Sequence, residues 1–507
     1  MPASDSDRMT SVLADRPTRI LFAFLAIAAT AAVYWPLPRV YFWADDFVCL
    51  LAIKDQGFVR FVLQRFGGHI LLVRNLIFYV TYALVGLHPA PYYATVLVTH
   101  LLNVWLLFRV IHALTDDAAI ACLGATAWGT SPLCIGTLGW YAVFGHVLST
   151  TVMLLVVDAL LRRAPRGTIA ASTVAGWAGL LLLGTTCFGV GIGVAMAFPI
   201  AFALLAPSAL HDRRVLTIVL GLAPAVAAFY FAYRRLSAVV EPLSLPEVVG
   251  LPLAVSHIAP ILAMFGHMLA FGTTGVLFGF FFDRKGYPGA QSHVAVAVAV
   301  VAVTIVCMTN GVTRRRCVAF FALTTGAFTV IALGRANFYD ALHMSMQTQA
   351  NQLRYYYAAV APLVVLLCLV LDRAQRSFRV PAAAILAVWL GVAGVGYVRS
   401  SFAVDERPVF RAYTERTRDA IDAAIDAAPM GADVRIPNRR VIPSLLGSGL
   451  GPMEFPGWVG LFVLQHPENI VHGHRVYFVE TDSALLAAWR LPEKHHRIHD
   501  LLIPATP

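Results

Sequence analysis

Apolar stretches of bilayer length recur from residue 19 to residue 398, and they constrain this chain more than any other feature. A membrane-spanning helix needs about 20 predominantly apolar residues. Such stretches fall near 19–38, 91–112, 118–137, 140–161, 168–185, 188–206, 214–233, 256–282, 292–309, 317–334, 355–371 and 381–398. Of 507 residues, 59% are hydrophobic and 13% charged, and the mean hydropathy is +0.72. A soluble domain carries about 25% charged residues, and one buried core stops growing beyond roughly 250–300 residues. A cytosolic enzyme, a disordered chain and a disulfide scaffold are excluded. The expected fold is an all-α polytopic membrane protein with about 11–13 transmembrane helices, followed by a small C-terminal α/β domain.

Net charge is +10 and the pI about 9.4. No long Lys/Arg run or nucleic-acid motif accompanies it, so no nucleic-acid partner is expected. The basic residues read instead as loop charges that orient helices in a lipid bilayer. The cysteines are Cys49, Cys122, Cys134, Cys187, Cys307, Cys317 and Cys368, with no CxxC pair and none in the tail. Neither a disulfide framework nor a zinc site is expected.

Arg162, Arg163 and Arg166, then Arg213 and Arg214, then Arg314, Arg315 and Arg316, then Arg373, Arg376 and Arg379 mark cytoplasmic loops. The loops 39–90 and 335–354 then face outward, as does the tail. The expected organisation is a multi-helix domain over 1–398 and a soluble extracytoplasmic domain over 399–507, in the plasma (inner) membrane. Residues 20–34 follow Arg16 and Arg19 and read as an uncleaved first helix rather than a signal peptide. Between Arg214 and Arg314 three apolar stretches lie between two cytoplasmic ends. Either residues 250–282, with His257 and His267, form a re-entrant or broken segment, or one of these basic loops departs from the charge rule.

The first outer loop, 39–90, carries two amphipathic pieces. In 58–66, Phe58, Phe61, Val62 and Phe66 recur at helical spacing with Arg60 and Arg65 on another face, which predicts an interfacial helix. Residues 70–87 are apolar enough to span but contain Arg74, costly at mid-bilayer, which favours a helix along the membrane surface. In the tail, a helix over 408–428 and strands over 433–437 and 475–480 are expected.

Asp45 and Asp46, in Trp43-Ala44-Asp45-Asp46-Phe47, are the strongest chemical signal. Adjacent carboxylates at a membrane surface repel each other and lose hydration, so ionisation needs a compensating cation. One could act as general base on a hydroxyl, the pair could hold a divalent cation such as Mg or Mn, or the motif could simply cap the next helix. His69 and Arg74 could bind a lipid phosphate, or Arg74 could snorkel to headgroups. Arg335 and Arg354 bracket the polar stretch 334–357, and permanent bidentate charges there suit a phosphate. Tyr355, Tyr356 and Tyr357 read equally as an interfacial belt. His472, His474, His495, His496 and His499 could bind metal but read better as solvated. Glu406, Glu415, Asp419, Asp422 and Asp426 read as a solvated helix face. His146 and Asp158 share one predicted span.

The order of these motifs, with Gly68-His69, Arg74, Gly86-Leu87-His88-Pro89, His100-Leu101-Leu102-Asn103, Gly334-Arg335 and Arg354-Tyr355, resembles the GT-C superfamily of integral-membrane glycosyltransferases. It is most similar to the protein-mannosyltransferase-like and aminoarabinose-transferase-like branch. The resemblance covers roughly 20–110 and, less specifically, 330–372. It implies a GT-C-like fold and sugar transfer, with inversion, from a polyprenyl-phosphate donor to a lipid, glycan or protein acceptor on the outer face. It makes Asp45 the general base and Asp46 the second acid, which in some members assists or meets a metal. Arg74, Arg335 and Arg354 then fall where the family holds the donor phosphate, with His69 and Tyr355 beside them. Residues 184–199 (GTTCFGVGIGVAMAFP) depart from the family, having no acid before the Pro. The tail lacks the tetratricopeptide repeats of one large branch. The rivals are a lipid-linked glycan flippase or polymerase, a non-catalytic membrane scaffold, and a secondary transporter, for which no inverted repeat is visible.

Overall fold

The computed structural model of the chain describes residues 5–42, 45–66, 69–240, 258–278, 311–341, 352–373, 422–423, 425–430, 434–438 and 470–480. The predicted crossings near 292–309 and 381–398 lie outside these residues, as do His495, His496 and His499 and most of the 408–428 helix.

The chain is an all-α, multi-pass membrane protein. Among the described residues six helices are long and apolar enough to cross a bilayer, or seven if one bent pair counts as a span. In chain order the elements are α1 (Asp5–Tyr34), α2 (Asp45–Gln56), α3 (Phe58–Leu63), a short hairpin β1 (Arg65–Phe66) and β2 (His69–Ile70), α4 (Leu72–Val85) and α5 (Pro89–Thr115). Then come α6 (Ala118–Gly129), α7 (Ile135–Leu138), α8 (Gly145–Arg163), α9 (Ala171–Thr185), α10 (Gly189–Leu205), α11 (Arg213–Val240), α12 (Ile258–Phe278), α13 (Gly311–Ala341) and α14 (Tyr356–Arg373). In the tail, β5 (His474–Glu480) lies between β3 (Val434–Asn438), which pairs parallel to it, and β4 (Ile470–Val471), which pairs antiparallel.

Polarity is arranged for a lipid surround. Phe24 and Leu220 are each 63% exposed, whereas Arg74, Asn75, His100, Asn103, His146 and Asp158 are buried. Inside a bilayer such groups must be satisfied within the protein, and most are. His100, Asn103, Trp128 and Tyr357 form one network joining α5, α6, α8 and α14. His100 Nε2 donates to the Gly129 carbonyl at 2.9 Å, which makes Nδ1 the acceptor for the Tyr357 hydroxyl at 2.8 Å. Asn103 donates to Tyr357 and to the Val147 carbonyl, and the Trp128 indole donates to the Tyr357 carbonyl. The His100-to-Asn103 motif therefore locks helices together. Toward the C-terminal end of α8, Asp158 pairs with Arg109 at 3.1 Å and Arg162 at 2.6 Å.

Helix α10 meets α13 without side chains between them at one point: a Cβ on Gly193 would collide with the Gly326 carbonyl, and one on Gly326 with the Gly193 carbonyl. Small residues at such crossings let dispersion hold two helices together where lipid removes the hydrophobic drive. The Gly-rich run of 184–199 is used here for packing.

Four expectations are corrected. The helix over 58–66 ends at Leu63, because the Asn75 amide donates to the carbonyls of Phe61 at 2.9 Å and Gln64 at 3.2 Å, capping the end. Arg65 and Phe66 then belong to the hairpin, and Arg65 is buried. The crossing over 118–137 bends by 45° at the Thr130-Ser131-Pro132 step, where a proline disfavours helix in the preceding residue. Within the stretch 250–282 the described residues 258–278 form one continuous helix, so no break falls there. Helix α13 runs on to Ala341, so Arg335 lies within a helix rather than in a loop.

Candidate active site

The first turn of α2 carries both acids of the Trp43–Phe47 motif. They do different things. Asp46 is fully buried and accepts hydrogen bonds from the Tyr93 hydroxyl at 3.0 Å and the Ala142 amide at 2.6 Å. It joins α2 to α5 and to the segment leading into α8. Asp45 makes no hydrogen bond or ion pair with any described residue and keeps some accessible surface, although it sits deep in the protein. Burial raises its carboxyl above the usual range, and the charges of Arg354, Arg74 and Arg335 pull it back down.

Three chain segments far apart in sequence supply those arginines. Arg74, in the first turn of α4, is 1% exposed. Its guanidinium donates to the Cys49 thiol at 3.2 Å, lies 5.8 Å from the Phe78 ring centre, and makes no ion pair among the described residues. Burial pushes that thiol up to about 11, so Cys49 stays neutral and does not cancel the charge. Arg335 donates to His69 Nε2 at 2.7 Å. Arg354 precedes α14 and lies over the rings of Trp140 at 5.1 Å and Tyr355 at 4.9 Å. It also donates to the Gln352 side chain and the Tyr355 hydroxyl. Tyr355 is buried.

His69 belongs to the same cluster. Burial, reinforced by the positive charges of Arg335 and its neighbours, holds its imidazole well below the usual range. Its ring packs at a tilt on Phe188 with centroids 4.4 Å apart, and His146 packs at a tilt on the same phenyl at 4.1 Å. The turn before α10 makes this possible. A Cβ at Gly189 would lie 2.6 Å from His69 Nδ1, and one at Gly145 would strike the Cys187 carbonyl.

The structure thus gathers Asp45, His69, Arg74, Arg335, Arg354 and Tyr355, and places Asp46 beside them as a tie. Sequence reasoning missed Cys49, Trp140 and Phe188. Gly189, directly after Phe188, was a visible signal, but the partner it makes room for, His69, is more than a hundred residues away. His472 lies 2.7 Å from Asp426 and 3.8 Å from Asp422. Both tail acids thus face a histidine.

No protein-family model matches the chain, and no curated protein sequence does. Among solved structures, the crystal structure of ArnT from Cupriavidus metallidurans bound to undecaprenyl phosphate is similar, with 12% identity and a TM-score of 0.48. The match covers 94% of this chain and 88% of that one.

Among the described residues the donor set does not fit a divalent cation. Both Asp46 oxygens already accept hydrogen bonds, and no group of three His, Cys, Asp or Glu side chains comes together among the described residues. The charges of Arg354, Arg74 and Arg335 converge on Asp45. That cluster of guanidiniums suits an anion.

Proposed function

We propose that the chain is an inverting glycosyltransferase. It takes a sugar from a polyprenyl-phosphate donor and passes it to a hydroxyl of a lipid, glycan or protein acceptor at the outer face of the membrane. One observation carries this reading: an unpartnered carboxylate faces three arginines, one of them buried without an ion pair, inside a bundle whose outer surface suits lipid tails. An uncompensated buried cation is costly, and a phosphate supplied by substrate removes that cost.

The chemistry follows from the charges. The donor is a phosphodiester monoanion. Asp45 takes the proton of the acceptor hydroxyl, the acceptor oxygen forms a bond to the anomeric carbon, and the bond from that carbon to the phosphate oxygen breaks. The phosphate leaves as a dianion. A site lined by three guanidiniums complements this product-like charge better than the ground state, which is the condition for lowering the barrier. The leaving group needs no proton, so one base is enough. Attack opposite the departing phosphate inverts the anomeric centre. No step is routed through a metal.

The test is lipid binding with a polyprenyl phosphate as the probe. Wild type and Asp45→Asn should both bind it, and a variant with Arg74, Arg335 and Arg354 all changed to Gln should not. Equal binding by all three proteins would overturn the reading.

A further inference from the structure

His146 opens α8 and is 1% exposed, yet neither ring nitrogen has a hydrogen-bond partner among the described residues. The other buried histidine within the bundle, His100, is satisfied at both nitrogens. His69 is satisfied at Nε2. Orphaned polar groups of this kind destabilise a fold, so packing alone gives no reason for an imidazole at position 146.

Its surroundings give one. The ring packs on Phe188, as does that of His69, which itself holds Arg335, and its charged neighbours are Arg354 and Arg335. Arginines only donate hydrogen bonds. A neutral imidazole offers one N–H and one lone pair, so the guanidiniums can never satisfy its N–H. No described residue supplies that acceptor, and a ligand entering the site can. A group that both accepts from one ring nitrogen and donates to the other matches the whole imidazole, and a hydroxyl or amine does both.

We infer that His146 is a substrate-binding residue that hydrogen-bonds a hydroxyl or amino group of the transferred sugar, next to the phosphate held by Arg335 and Arg354. This rests on the glycosyl-transfer reading above. The sugar-bearing end of the donor then enters against the Phe188 face, and replacing the imidazole changes sugar selection without changing lipid-phosphate recognition.

Two full-length variants test it, His146→Phe and His146→Asn, with a polyprenyl phosphate and its pentosyl and hexosyl esters as probes in titrations followed by native mass spectrometry. Wild type should prefer one sugar ester to the bare phosphate. His146→Phe should lose that preference about tenfold or more, bind the bare phosphate as wild type does, and melt no lower, because an orphaned polar group has been removed. His146→Asn, which keeps a donor and an acceptor, should recover part of the preference. A wild-type preference that survives in His146→Phe would overturn the assignment and leave the transfer reading standing. So would weaker binding of the bare phosphate, which would put His146 on the phosphate, or a lower melting temperature, which would mark a structural role. Failure of wild type to bind any of the probes would overturn both.

Discussion

Arg335 and His69 are 266 positions apart and joined by a hydrogen bond of 2.7 Å, from the guanidinium Nη2 to the imidazole Nε2. Since arginine cannot accept, the bond fixes the tautomer: Nε2 is the acceptor and Nδ1 carries the hydrogen. It also ties the β1–β2 hairpin to α13. With burial and Arg335 disfavouring the imidazolium, His69 is a neutral brace that aims a cation. His69→Ala should weaken binding of a polyprenyl phosphate by about tenfold, the loss of one charge-assisted hydrogen bond, and leave Asp45 competent. Titration of the lipid into the purified variant checks this.

The pH dependence should follow Asp45. Burial raises its carboxyl above the usual value of 3.8, and transfer needs the ionised form, so activity is lost as pH falls through the raised value. A bound phosphate offsets the arginines that hold the carboxyl down. The acid limb of kcat, which reports the complex, should therefore lie at higher pH than that of kcat/KM, which reports the free protein. Coincident limbs at an ordinary carboxylate value would contradict it.

The two adjacent acids should separate in stability. A carboxyl raised in the folded state is a charge the fold holds at a cost near neutral pH. Asp45→Asn should thus melt no lower than wild type while losing about 10²–10⁴-fold in transfer rate, the usual contribution of a general base. Asp46→Ala removes the acceptor of the Ala142 amide and the Tyr93 hydroxyl, and should cost about 1–3 kcal/mol of stability. Thermal melts in detergent distinguish them.

Much of this was legible in the sequence, for identifiable reasons. Span positions follow from runs of apolar residues, and Arg74, Arg335 and Asp45 stand out because charge near a membrane demands a purpose. The division of labour between Asp45 and Asp46 was not legible, since it depends on Tyr93 and Ala142, which approach only in the fold. The end of α3 depends on Asn75, and the seat of His69 on the absence of a side chain at Gly189. Local periodicity carries none of these long-range contacts.

The glycine crossing should be intolerant of bulk. Gly193→Leu or Gly326→Leu would drive a side chain into the facing carbonyl and separate α10 from α13, which carries Arg335. Loss of monodisperse protein in size-exclusion chromatography is the expected result, with Gly221→Leu, where a Cβ meets open space, as a tolerated control.

The central claim, that Asp45 faces a bound polyprenyl-phosphate sugar, is tested most directly by native mass spectrometry of the lipid that co-purifies with wild type and with Asp45→Asn. The predicted result is a polyprenyl phosphate in both, with the Asn variant retaining a pentose- or hexose-linked form. Bulk phospholipid alone in both samples, under conditions that preserve lipid binding, would contradict it.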